Sequence, residues 1–136
     1  MIDQSEWVRA AALDNAEWCD AVCRSHGLIG ELDAAAWTSA KRTPPLYPDA
    51  VSLSPRTSAA ELLARIDRST PGASIKDSFA CLDLSRDGFH ILFEAQWIYR
   101  PADQGPSAAS GPWEVTAAIH HGCTPVGPLR IWVASD

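Results

Sequence analysis

A chain of 136 residues, 46% hydrophobic and 21% charged, has the size of one domain and an ordinary globular composition. Its net charge of −6 and scattered Lys and Arg argue against a nucleic-acid partner, which takes clustered basic residues to neutralise. No apolar run approaches the ~20 residues of a membrane helix, and "MIDQSEW" lacks the basic and apolar segments of a secretory leader. A cytoplasmic protein with reduced thiols at Cys19, Cys23, Cys81 and Cys123 is therefore expected.

The first predicted element is a helix near 4–26. Val8, Ala12, Ala16, Cys19, Cys23 and His26 recur at helical spacing, Asp3 and Glu6 resemble a capping pair, and Gly27 stands where a left-handed cap ends a helix. Asp14-Asn15 marks a place where this helix would break and restart. Trp7 and Trp18 flank the stripe and are expected to seal it against a sheet. "ELDAAAW" (31–37) reads as a helical turn or two. "KRTPPLYPDA" (41–50) is neither helix nor central strand, because its prolines remove donors and fix φ; it reads as an ordered loop pinned by Leu46 and Tyr47. "AVSL" follows as a short strand. A second helix near 59–68 begins at the capping box of Ser58 and Glu61 and stops at Pro71-Gly72.

"SIKDSFACLDLSRDGFHILFEAQWIYR" (74–100) reads as a hairpin of strands 74–84 and 89–100, closed by a type I turn with Gly88 in a left-handed position. Counting outward pairs Asp83 with Ile91, Cys81 with Phe93, Phe79 with Ala95 and Asp77 with Trp97. One face then carries Ile75, Phe79, Cys81, Ile91, Phe93, Trp97 and Tyr99. The other carries Ser78, Leu82, His90, Leu92, Glu94, Gln96 and Arg100. Residues 101–112 have linker composition, and 113–136 supply two further strands, "WEVTAAI" and "LRIWVAS", around "HHGC". The whole is an α+β fold: residues 1–100 form a core whose antiparallel sheet is built around the hairpin, and 113–136 complete or extend that sheet.

The candidate chemistry is sparse. A carboxylate on a buried strand needs a partner or hydrogen bonds, so Asp77 is either a structural acceptor of backbone N–H groups or a held anion or general acid. Asp83 reads as a turn carboxylate. His90, Glu94 and Gln96 alternate along one strand, with Ser78 opposite Gln96. An acid/base site would draw on Asp77, Glu94 and His90, with Ser78, Gln96, Trp97, Trp18 and Arg100 contacting the ligand. Cys19, Cys23 and His26 share a helical face; their spacing fits no standard zinc motif, and core packing is the expected role, with no metal and no cofactor. "HHGC" (120–123) reads as a solvated turn. No nucleophile elbow, P-loop, dinucleotide fingerprint or HExxH occurs.

The segments "AEWCDAVCRSHG", "RTPPLYPDAVSL" and "SIKDSFACLDLSRDGFHILFEAQWIYRP" resemble, in order and spacing, the N-terminal part of a family of uncharacterised actinobacterial proteins described as GNAT-like, that is, related to the superfamily of N-acetyltransferases. The resemblance spans roughly residues 4–116 and implies an α+β fold. "HHGCTPVGPLRIWVASD" departs from the family's continuation. The R/Q-x-x-G-x-G/A loop that holds the CoA pyrophosphate in such acetyltransferases is absent from the sequence, so no CoA-binding residue carries over. Two functions are then expected in competition. One is a GNAT-like module binding a small molecule or a protein partner, a homo-oligomer whose second copy pairs with an exposed sheet edge. The other is a small enzyme of specialised metabolism doing acid/base chemistry in a Trp-lined cleft.

Overall fold

The computed structural model describes residues 3–99 and 124–135. Expectations for Arg100, the linker, the strand at 113–119 and the 120–123 cluster lie outside those residues.

Helix α1 (Gln4–Ser25) runs unbroken through Asp14-Asn15. Its end is a Schellman motif: Gly27 adopts φ 77°, its N–H donates to Arg24 O, and Leu28 N–H reaches back to Cys23 O. At the start, the Asp3 carboxylate accepts from Ser5 Oγ instead of capping the helix. Residues 31–38 are not helical. Strands β1 (Glu31–Leu32) and β2 (Ala36–Thr38) pair antiparallel around a turn in which Asp33 accepts the N–H groups of Ala35 and Ala36. After the 41–49 loop come β3 (Ala50–Ser52), helix α2 (Ala59–Ala64), β4 (Ser74–Asp77), a short 3-10 turn at Ser85–Asp87, β5 (Phe89–Tyr99) and β6 (Thr124–Ala134). Ser58 Oγ accepts the Glu61 N–H as the capping box requires, and Gly88 is left-handed as expected.

The fold is α+β, with a six-stranded sheet in the order β1-β2-β3-β4-β6-β5. The β3–β4 pair is parallel and the other pairs are antiparallel. The predicted hairpin register does not form. β6 inserts between β4 and β5, pairing Ile75 with Trp132 on one side and Ile91 with Trp132 on the other. The reason lies at Asp77. Its Oδ1 accepts the Cys81 N–H at 3.1 Å and its Oδ2 the Leu82 N–H at 3.1 Å, while the Ala80 N–H closes a turn onto Asp77 O. The chain therefore leaves the sheet after four residues of strand, and residues 78–84 fold over one face. Pro125 and Pro128 of β6 lie beyond its pairing with β4 and face only β5, where a missing donor is tolerated.

The sheet separates two cores. On one face α1 buries Ala12, Ala16, Cys19 and Cys23 against Trp37, Val51 and Leu53, with Trp97 at the margin. On the other, Leu62, Leu63 and Ile66 pack with Ile75, Leu82, Leu84, Phe89 and Trp132. Cys19 and Cys23 fill the core as expected, whereas His26 is exposed. Trp18 points away from the sheet and is 61% exposed, so it seals nothing; Trp7 is half-buried.

Candidate functional site

β5 decides which predicted site residues meet. Between Ile91 and Phe93 its register with β6 slips by one residue, leaving Leu92 as a bulge. His90, opposite Val133, lies on the α1 face, as do Phe93 opposite Ile131 and Trp97 opposite Gly127. Ile91, opposite Trp132, lies on the α2 face, as do Glu94 and Gln96. The expected row of His90, Glu94 and Gln96 is thus split across the sheet, and so is the expected face of Ile91, Phe93 and Trp97. Phe79 and Cys81 are off the sheet altogether, in the segment that Asp77 turns away.

Each predicted polar group has its own local partner. Asp77 is fully buried and accepts a third hydrogen bond from Trp132 Nε1 at 3.2 Å, beside those from Cys81 and Leu82. That is the structural reading of this carboxylate. Glu94 is exposed and takes the Arg130 Nε–H at 2.9 Å. The exposed His90 lies 2.8 Å from Ser135 Oγ through Nδ1. Asp83 accepts from Ser85 in its turn, as expected. Ser78 does not face Gln96: its N–H donates to Ser52 Oγ, its carbonyl accepts the Trp97 Nε1–H at 2.8 Å, and its own buried hydroxyl has no hydrogen-bond partner. Lys76 stands with its ammonium 4.6 Å from the Trp97 ring centroid. Burial lowers its pKa, and burial raises the neighbouring Cys19 thiol to about 11. Among the described residues no three His, Cys, Asp or Glu side chains gather as a metal site.

Among the described residues a concave feature lies elsewhere, at the part of the α1 face that α1 leaves open. A cleft of about 460 Å³ is floored by Leu92 and Phe93 of β5 and Ile131 and Val133 of β6, and walled by residues 42–49. The wall is held at its end by Asp49, buried although charged. Its Oδ1 accepts the Thr43 N–H and its Oδ2 the Ser74 N–H, each at 2.9 Å, while Arg42 Nε stands 3.9 Å away. Burial pushes the Asp49 pKa up, against the lowering effect of these donors and of Arg42. Arg42 spends its terminal nitrogens on Thr70 and Pro71, and its sealed Nε–H has no hydrogen-bond partner. Thr43 Oγ1 donates to Tyr47 O at 2.7 Å, folding the loop on itself.

Leu46, expected to pin this loop, instead stands fully exposed on the lip with φ 77°, a left-handed conformation unusual for leucine. The loop is pinned by Asp49, Thr43 and the half-buried Tyr47. Sequence reasoning missed this site. The only signal was a proline-rich loop containing Arg42 and closing on an aspartate just before a strand. Compared with protein-family models, curated proteins and solved structures, the chain finds no match.

Proposed function

We propose that the chain is a small binding module, GNAT-like in the sense of its sequence resemblance and without acetyl transfer, that holds a small molecule in the cleft beneath residues 42–49. The observation that carries this reading is the cleft itself: about 460 Å³, with a floor of Leu92, Phe93, Ile131 and Val133 and a few fixed polar groups at one end. Ligand sites have this size and this ratio of apolar lining to placed polar groups. The sequence contains no CoA pyrophosphate loop. Acid/base catalysis in a Trp-lined cleft finds less support, because Asp77 is committed to three donors and Glu94 and His90 project from opposite faces. The test is native mass spectrometry of the protein as purified from its host, followed by thermal melting with any released compound. Ligand at 100 times its Kd adds about 2.7 kcal/mol, and the rise in Tm should vanish in Phe93→Ser. A bare mass, together with no compound in a metabolite panel raising Tm, would count against the reading.

A homo-oligomer is part of the same proposal. Among the described residues β5 is an edge strand of the sheet, eleven residues long, and exposes Ile91, Leu92, Phe93 and Ile98. Such an edge is a template for a second copy. Light scattering on a sizing column should give twice the chain mass, reverting to the monomer in Ile98→Lys; a monomer at all concentrations would refute it. No helix among the described residues is long and apolar enough to cross a membrane, and a cytoplasmic location belongs to the proposal.

A further inference from the structure

We infer that the cleft selects an uncharged, predominantly apolar small molecule, and that Leu46 is the lip that covers it. The inference rests on the binding reading above and adds the chemical class of the ligand.

Apart from the Tyr47 phenol, only Arg42 and Asp49 among the described lining residues are ionisable, and they stand as a pair of opposite sign 3.9 Å apart. Neither is free to receive a ligand charge. The Arg42 terminal nitrogens hold Thr70 and Pro71, its unpartnered Nε–H is sealed from solvent 3.9 Å from Asp49, and Asp49 is occupied by two backbone N–H groups. A carboxylate or ammonium entering the cleft would shed its hydration over Leu92, Phe93, Ile131 and Val133 and meet no unspent counter-charge. A neutral apolar body loses nothing comparable and gains the floor.

Leu46 carries a second part of the argument. It stands fully exposed in left-handed backbone, between Pro44-Pro45 and Pro48. Both features disfavour a leucine in a free loop, and asparagine tolerates that backbone better. A ligand on the apolar floor would cover this side chain and bury surface that is otherwise wet.

The experiment is a ¹H–¹⁵N NMR titration at pH 7 with three probes that share one ring system: indole-3-acetamide (neutral), indole-3-acetate (anion) and tryptamine (cation). The neutral amide should shift the amides of Leu92, Phe93 and Val133 and bind roughly tenfold or more tighter than either charged probe. Leu46→Asn should melt at or above the parent temperature yet bind the amide about tenfold more weakly, from the loss of one buried leucine. If a charged probe binds the cleft as tightly as the amide, the charge inference fails while the binding reading stands. If Leu46→Asn binds the amide like the parent, the role of Leu46 is overturned. If no probe moves the cleft amides, the inference falls, while the binding reading stands or falls on the retained mass and the melting panel.

Discussion

Replacing Asp77 with asparagine separates a structural carboxylate from a catalytic one. The side chain is fully buried and receives three donors: Cys81 N–H on Oδ1, and Leu82 N–H and Trp132 Nε1–H on Oδ2. Asparagine has one acceptor oxygen. Set where Oδ2 was, it keeps two donors and turns its own N–H₂ against the Cys81 N–H. A hydrogen bond to a charged acceptor is worth about 1.5–3 kcal/mol, and a buried donor left unmet costs about 1–3 kcal/mol. No longer burying a charge offsets part of the loss, so a net destabilisation of about 2 kcal/mol is expected. For a domain of this size that is a fall in Tm of roughly 8 °C, readable by circular dichroism and by the urea midpoint. Trp132→Phe removes one of the same donors, so the double variant should fall short of additivity by about 0.5 kcal/mol or more. If Asp77→Asn melts within about 2 °C of the parent, the account of why β4 ends where it does is wrong.

Asp49 should give stability a pH dependence of the opposite sense to that of a carboxylate whose pKa is lowered by its partners. Its folded pKa is raised by burial, so the native state holds the proton more tightly than the unfolded chain. Its contribution is full below the ordinary carboxylate range and is lost as pH rises through the folded value; urea stability of the parent relative to Asp49→Asn should therefore decline upward from about pH 4 and then level. A difference flat across that range would contradict it. Gly30→Ala should cost about 2–3 kcal/mol, the range of core overpacking, because a Cβ there would overlap the fully buried Trp37 indole; an unchanged urea midpoint would refute the packing. Glu94→Gln should change stability by less than about 1 kcal/mol, as for exposed ion pairs, since the carboxylate meets Arg130 at the surface. It should also leave probe affinity in the cleft unaltered, because Glu94 lies on the far face.

What was legible in the sequence is what a few neighbouring residues decide. The Ala12–Cys23 stripe, the Gly27 cap, the Ser58 box and the Gly88 turn all rest on contacts three to five residues apart. The hairpin looked equally local and failed, because its outcome depended on a strand about fifty residues away. Nothing in "SIKDSFACLDL" says that Asp77 will capture two N–H groups downstream, nor that β6 will take the vacated edge. The bulge at Leu92 was invisible for a similar reason: alternation in "FHILFEAQW" is compatible with an unbroken strand, and only the register against β6 moves Glu94 and Gln96 away from His90. Trp18 stands beside the apolar stripe yet stays exposed, because the face of Ala12, Ala16 and Cys19 already fills the space against the sheet.

The cleft is a consequence of that failed hairpin. With β6 between β4 and β5, β5 lies at the edge of the sheet among the described residues, and its Leu92 and Phe93 join Ile131 and Val133 on a patch that α1 does not line. β4, only four residues long, is held at both ends by buried carboxylates. Asp49 receives the N–H of Ser74 at its start, and Asp77 closes the turn at its finish. Either clamp fixes the strand against the loss of backbone entropy, but they serve different neighbours. Asp77 turns the chain onto the α2 core and touches no cleft residue except through the sheet, whereas Asp49 holds the wall of the cleft through Thr43. Substitution of Asp77 should therefore weaken the fold and spare ligand affinity in the protein that remains folded. Substitution of Asp49 should loosen residues 42–49 and weaken the ligand beyond its effect on stability. Probe titrations of both variants well below their melting temperatures would show that contrast, and equal losses of affinity would refute the division of labour along β4.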